Sequence, residues 1–382
     1  MKKTKLICLI LILTLVISVG CSSSSQTTLE NTNNSEIEDV EPEADDQRII
    51  IDALGREVYL PEKVETIVAL GNTPRFVTYL GLAEQVVGLS GMESDKITPL
   101  TAYAHVNQTR WQDVPLVGTD AMGNTEYHAE EIVLLKPDVI LCTYPLNVVE
   151  DIENKTNLPV VSVSIGNIFL DDYAESLEII AQVCGVENRA TELLEYIDTS
   201  LEDLNNRTIG LKDDEQPSVI SAAATFKGAH GIEGIRVKDP ILLAINANNL
   251  AFETLGNEQT ETAVEVDREQ ILLWNPEYIF CDYSGVNLVK QDQATDPEFY
   301  NQLTAFQNDQ IYQHPSSTSY YSNLEISLAN AYYIGSILNP AAFNDIVVEE
   351  KIEEIFDIFL GEQNLLNDLI DYGAFYGPIE FE

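Results

Sequence analysis

The sequence predicts an α/β protein of two Rossmann-like lobes joined by a single long helix. Three observations carry this. Residues 129–144, AEEIVLLKPDVILCTY, align without a gap with residues 268–283, REQILLWNPEYIFCDY, at an offset of 139. Each half opens as strand, loop and helix, and later runs helix, proline, strand. Between the halves, Ala190, Leu193, Leu194, Ile197, Leu201 and Leu204 recur at helical spacing. An offset this large means two similar lobes, not a solenoid of short repeats. The length of 382 residues suits two domains at roughly 150 residues each.

In chain order, Lys2, Lys3 and Lys5 make a positive start, and residues 6–17 are apolar apart from Thr14. That run is too short for a membrane span, which needs about 20 residues, and fits a secretory signal. Residues 18–21, SVGC, resemble a bacterial lipobox. The resemblance implies that residues 1–20 are cleaved and that Cys21 is acylated, anchoring the protein in the membrane. An ordinary signal peptide with a chance cysteine is the alternative, and Ser18 stands where leucine is commonest. Residues 22–47 hold only three large aliphatic side chains, too few to offset ordering entropy, so residues 21–47 read as a disordered tether. This prefix places the body outside the cytoplasm and excludes cytoplasmic enzymes.

The first lobe is expected over residues 48–186. ETIVAL (65–70) reads as a strand, GNTP (71–74) as a turn, 75–82 as a short helix and 86–89 as the next strand. Residues 130–135 form a short helix that Pro137 stops, and 139–142 is an apolar run suited to a strand buried on both faces. The interlobe helix covers 187–210, with Asn205, Asn206 and Gly210 at its end; about 20 helical residues span about 30 Å. The second lobe is expected over residues 211–382. It has a strand at 218–224, a glycine-rich loop at 225–232 and a helix at 240–247. Helices at 323–338, 348–360 and 363–375 are expected to pack on its outside.

Charge and cysteines exclude further classes. There are 20 Lys+Arg against 63 Asp+Glu, a formal charge of −43, which becomes −46 when the three N-terminal lysines leave. Such a surface repels phosphate backbones, so no nucleic-acid partner is expected, and anionic membrane surfaces are disfavoured. Adaptation to salt is a second explanation for the acidity. Cys142, Cys184 and Cys281 remain in the body, without a CxxC, and read as buried thiols.

ETIVALGNTPRFVTYLGL, EEIVLLKPDVILC, REQILLWNPEYIFCD and AFQNDQIYQHP together resemble the solute-binding proteins of iron-complex and vitamin B12 ABC importers. The tail NLEISLANAYYIGSILNPAAFNDIVVEEKIEEIFDIFLG is similar to an iron-complex or haem-related branch. The resemblance covers about residues 48–375. It implies a ligand in the cleft between the lobes, no enzyme activity, no intrinsic cofactor, and a monomer that delivers its ligand to a permease dimer driven by an ATPase. It also implies that one carboxylate on each lobe docks against an arginine of each permease subunit. Glu130 and Glu269, matched by the repeat, are the candidates, with Glu131 the nearest rival.

Enzyme motifs are missing: there is no Walker A sequence, no GxGxxG after a strand and no HExxH. GAHGIEG (228–234) could cradle an anion, but a plain flexible loop is an equal reading. Bare zinc or manganese usually needs two or three histidines converging with carboxylates. His105, His128, His230 and His314 are isolated in sequence, so no direct free-ion site is expected. His128 and Glu131 read as a solvated helix end. The strand ends give the candidate ligand contacts. In the first lobe these are Asn72, Thr73, Arg75, Arg110, Trp111 and Tyr144, with Tyr103 and Thr143 beside them. In the second they are Phe226, Lys227, His230, Arg236, Tyr283, Tyr320 and Tyr321. Aromatic walls suit a large planar or chelated ligand, and cations suit its carboxylates or catecholates. For each aromatic, core packing is the competing role. On an extended segment Tyr320 and Tyr321 point opposite ways, so at most one faces the ligand. An iron chelate, siderophore or haem-like, is the first expectation and a corrinoid the alternative. A sensor or adhesion lipoprotein without a transport partner is the alternative of another class; it predicts loss of the docking carboxylates, which are present.

Overall fold

Two mainly parallel sheets, each with one antiparallel edge strand, form the scaffold. The structure is a computed structural model that describes residues 48–381 except 92–95, 122–123, 212–215, 258–261 and 363. The signal segment, Cys21 and the tether lie outside the described residues. A hairpin of β1 (Arg48–Ile51) and β2 (Glu57–Leu60) comes first. The first sheet contains β3 (Ile67–Ala69), β4 (Val86–Ser90), β5 (Leu116–Ala121), β6 (Asn124–Tyr127), β7 (Val139–Cys142) and β8 (Val160–Ser162). Its order is β6-β5-β4-β3-β7-β8, with only β6 antiparallel. The second half has β9 (Val219–Ala222), a separate antiparallel pair of β10 (Gly234–Arg236) and β11 (Ala263–Glu265), then β12 (Tyr278–Asp282), β13 (Ile311–His314) and β14 (Gly377–Pro378). Its sheet runs β14-β13-β12-β9, with only β14 antiparallel.

The repeated segment folds into the same unit twice. Helix Ala129–Leu135 ends on Lys136 and helix Arg268–Trp274 ends on Asn275, both in the left-handed conformation, at φ 51° and 43°. Pro137 and Pro276 then forbid another helical turn. The chain enters β7, between β3 and β8, or β12, between β13 and β9. An interior position buries both faces of a strand, which explains the unbroken apolar runs. Ile132 and Ile271 pack inward from the two helices, whereas Leu134 and Leu273 point to solvent.

Helix Glu187–Thr208 follows the last helix of the first half and precedes β9. Its 22 residues span about 33 Å. It buries Ala190, Leu193, Ile197 and Leu204, the face that the spacing predicts. Near its C-terminus Asn205 and Thr208 accept from Asn246 Nδ2 of the second half, both at 3.0 Å.

The C-terminal helices correct one expectation. They do not lie only on the outside of the second lobe. Helix Val348–Leu360 packs on helices Thr73–Tyr79 and Ala102–Val106 of the first half. The Tyr79 ring meets Phe359 edge-on at 5.3 Å, and His105 Nε2 lies 2.7 Å from Asp368 of helix Leu365–Tyr372. The reason is burial. All seven residues of the Thr73–Tyr79 helix are buried, so it needs cover on its outer side. The apolar stripe Ile352, Ile355, Phe356 and Phe359 supplies it. The two halves are thus braced by the 187–208 helix and by this helical layer. Bending a continuous helix breaks its hydrogen bonds, so ligand binding is expected to rotate the lobes by about ten degrees or less. Scattering profiles with and without ligand should nearly superimpose; a marked fall in radius of gyration would contradict the double brace.

Candidate functional site

The carboxyl ends of parallel strands converge on a crevice, the usual place for a ligand in open α/β sheets. β8 runs into loop 163–170 and β13 into loop 315–323. These loops, β10 and helix Pro240–Ala244 enclose a cavity of about 620 Å³, with Leu201 and Asn205 of the interlobe helix at its edge. Its apolar lining comes from Ile168, Phe169 and Leu170 of the first half and Ile241 and Leu243 of the second. Its polar lining includes Arg236, Lys238, Thr262, Ser317, Thr318 and Ser322.

Arg236 is held in place. Its Nη2 donates to Thr318 Oγ1 at 2.9 Å and lies 3.4 Å from Asp282 Oδ2. Asp282 ends β12, is 1% exposed, and also accepts from Ser316 Oγ and the Ser284 amide. The carboxylate thus fixes the guanidinium at the cavity wall. Lys238 has no ion-pair partner among the described residues. Asp239 caps helix Pro240–Ala244 by accepting from the Ile241 amide through Oδ1 at 2.9 Å. Its Oδ2 is buried without a hydrogen-bond partner among the described residues. Among the described residues no His, Cys, Met or Tyr lines the cavity, and those side chains are the usual donors to a bare transition metal. Among the described residues no group of three or more His, Cys, Asp and Glu is placed to hold a metal ion. What the wall offers is cations and hydroxyls, which complement anionic oxygens.

Of the ligand contacts expected from sequence, Arg236 lies on this wall; the structure places the others elsewhere. Arg75 is fully buried and donates to Asn72 Oδ1, to the Tyr320 carbonyl at 2.6 Å and to Asn323 Oδ1 at 3.1 Å. Its guanidinium lies 4.7 Å from the Tyr103 ring centroid. Thr73 donates to the Leu70 and Leu141 carbonyls, and the Asn72 amide donates to Thr143 Oγ1. Tyr144 is buried in the core of the first sheet. Arg110 is exposed and paired with Glu84 at 2.6 Å, while Trp111 is buried and donates to the Ala83 carbonyl. His230 stacks on Phe226 at 3.9 Å, and its Nε2 donates to the Phe226 carbonyl. This loop is seated tightly: a Cβ at Gly285 would lie 2.2 Å from the His230 carbonyl oxygen. Lys227 is exposed, in the left-handed conformation. The Tyr283 hydroxyl donates to the Tyr372 carbonyl. Tyr320 and Tyr321 are both left-handed, at φ 52° and 69°, so the segment is not extended and the alternation argument does not apply. Their rings meet edge-on at 6.1 Å.

Sequence reasoning missed Lys238, Ser317, Thr318, Ser322 and the 168–170 strap. The hydroxyls stood in the same PSSTSYYSN segment as the two tyrosines, and the aromatics drew attention from them. Glu130 and Glu269 are exposed in the first turns of the two repeat helices. Beside Glu269 lies an acidic depression with Glu233, Glu265 and Asp267, where Arg268 is tied to Glu233, Asp292 and Asp296 at 2.7, 2.6 and 2.8 Å. His128 lies 3.3 Å from Glu131 on an exposed helix end. Cys142, Cys184 and Cys281 are free thiols, pushed up to about 12 by burial.

A family model described as periplasmic binding protein matches residues 61–318. An uncharacterized ABC transporter substrate-binding lipoprotein of Bacillus subtilis is 22% identical over 269 residues, 69% of this chain and 76% of the relative. Among solved structures, a periplasmic solute binding protein of Veillonella parvula superimposes with a TM-score of 0.65 at 15% identity, covering 86% of this chain and 98% of that one. The molybdate periplasmic binding protein of Haemophilus influenzae gives 0.61 at 19% identity, covering 82% and 98%.

Proposed function

The chain belongs to the periplasmic binding protein family, and we propose that it captures a small anionic iron chelate of the siderophore kind in the cleft. It is the extracytoplasmic solute-binding component of an ABC importer, not an enzyme, and works with a permease and an ATPase. The observation that carries the ligand reading is the polarity of the cleft. Arg236, held by Asp282 and Thr318, and Lys238 line the same cavity as the apolar strap of Ile168, Phe169 and Leu170. Anionic chelator oxygens turn toward the cations, and the carbon body of the ligand covers the strap. Asp239 Oδ2 offers an acceptor for a ligand N–H or O–H. A chelator that already saturates its metal needs no donor from the protein, which suits a wall without His, Cys, Met or Tyr. Haem would leave its axial positions unserved there. A volume of about 620 Å³ suits a drug-sized ligand rather than a complete corrinoid. Iron as the metal rests on the resemblance of the sequence motifs to the iron-complex branch. We also assign acyl chains to Cys21 and the tether role to residues 21–47, supported by the lipobox and by the lipoprotein nature of the Bacillus relative.

Titration with ferric trihydroxamate and ferric tricatecholate chelates, followed by intrinsic fluorescence, tests this reading. R236Q is expected to weaken binding by roughly tenfold or more, the usual worth of a charge-assisted hydrogen bond, and K238Q by less. Binding of hemin or cobalamin with neither ferric chelate bound, or chelate binding unchanged in R236Q, would refute it.

A further inference from the structure

We propose that Leu134 and Leu273 are a matched pair of apolar anchors by which the two lobes grip the two equivalent halves of the permease. This rests on the reading of the chain as a permease's solute-binding partner. Among the described residues they are the most exposed large hydrophobic side chains, at 79% each, ahead of Ile209 at 64%. A single exposed leucine needs no explanation. These two occupy the same position of the internal repeat, in the helices AEEIVLLKP and REQILLWNP. In both, the isoleucine two residues earlier is fully buried, so the helix orientation is the same and the leucine faces away from the core. Packing within the chain therefore does not account for either one.

The surroundings select the partner. Leu134 follows Glu130 by four residues and Leu273 follows Glu269 by four, so each leucine shares a helix face with one of the exposed glutamates. Glu131 adds charge on the first patch, and Glu265 and Asp267 on the second. A second copy of this chain would bring like charges together, which opposes self-association. A cationic partner with apolar recesses complements both patches. Two equal patches on the two arms of a duplicated chain fit a partner that presents the same recess twice, as a two-fold permease dimer does. The leucines supply apolar burial at the contact, and the acids supply orientation.

The test uses the full lipidated chain and its permease–ATPase complex in nanodiscs, with L134S, L273S and the double variant. Both positions are exposed, so the variants should melt with the wild type and bind the ferric chelate equally well. Affinity for the permease is expected to fall roughly tenfold for each single change and roughly a hundredfold for both. Stimulation of the ATPase should need correspondingly more protein. A double variant that engages the permease as well as wild type would overturn the proposal. So would a wild-type self-association, seen by sedimentation, that the substitutions abolish. If the wild type itself fails to engage the permease, the underlying reading falls, which the wild-type arm alone reveals.

Discussion

Replacing Arg75 with methionine is expected to cost about 3–5 kcal/mol of stability, the range for removing one partner of a buried charged group. The guanidinium is fully buried and joins the two halves: it sits on the first helix of one and donates to the Tyr320 carbonyl and Asn323 Oδ1 of the other. Without it three acceptors, among them the buried Asn72 Oδ1 and Asn323 Oδ1, lose this donor. Glu325 is also affected. Burial pushes its carboxyl above the ordinary range, and the Arg75 charge and the Tyr79 hydroxyl bond pull it back. In R75M the carboxyl rises further. A carboxyl raised in the folded state contributes stability that is fully present below its unfolded value and lost as pH rises through the folded one. The stability deficit of R75M should therefore be largest at neutral pH and shrink as pH falls through the raised folded-state titration of Glu325, because the protonated carboxyl no longer needs the Arg75 charge. Thermal melts of both proteins across that range measure it. A deficit of the same size at every pH would exclude Glu325 as the responding group. Chelate affinity should fall as well, because the loop anchored through Tyr320 carries Ser317, Thr318 and Ser322 of the cleft wall.

Changing both Glu130 and Glu269 to alanine is expected to abolish transport while leaving chelate binding intact. Both are exposed, lie outside the cleft and occupy equivalent first turns of the two repeat helices. The resemblance to iron-complex importers implies one arginine on each permease subunit, and the duplication would supply one matching acid for each. Desolvated charge pairs across an interface cost about 2–5 kcal/mol to break, so each single change should give a partial loss. Uptake of the ferric chelate into reconstituted vesicles reads the outcome. Normal transport by the double variant would remove the docking role, and lost chelate binding would move these residues into the cleft or core. Comparison with the leucine variants separates charge from apolar contact, since only the glutamate variants should reduce the salt dependence of association.

Much of the scaffold was legible because its determinants are local. A proline two residues past the last helical position, an apolar run of strand length and a gap-free repeat place two helix–strand units within a residue or two of where they fold. The interlobe helix likewise announced itself by period, ending two residues before expectation. Arg236 was legible as a scarce cation at a strand end.

The sequence by itself determined the two-lobe plan, the matched acids and leucines of the repeat, and the class of function. Only the tertiary structure decided which side chains line the cleft and which lock the halves together. Arg75 and Arg236 look alike in sequence, each a scarce cation near the end of a strand. One is consumed by Tyr320 and Asn323, 245 and 248 residues away, while the other is held by Asp282 at a cavity wall. The backbone of Tyr320 and Tyr321 turns left-handed where Arg75 donates to the Tyr320 carbonyl, which no local propensity of tyrosine encodes. The sequence showed a helix at 348–360 but set its stripe of Ile352, Phe356 and Phe359 on the second lobe; only folding brought the Thr73–Tyr79 helix against it. Partners separated by hundreds of residues leave no periodic trace, because the contact is paid for by burial in three dimensions and not by any pattern along the chain.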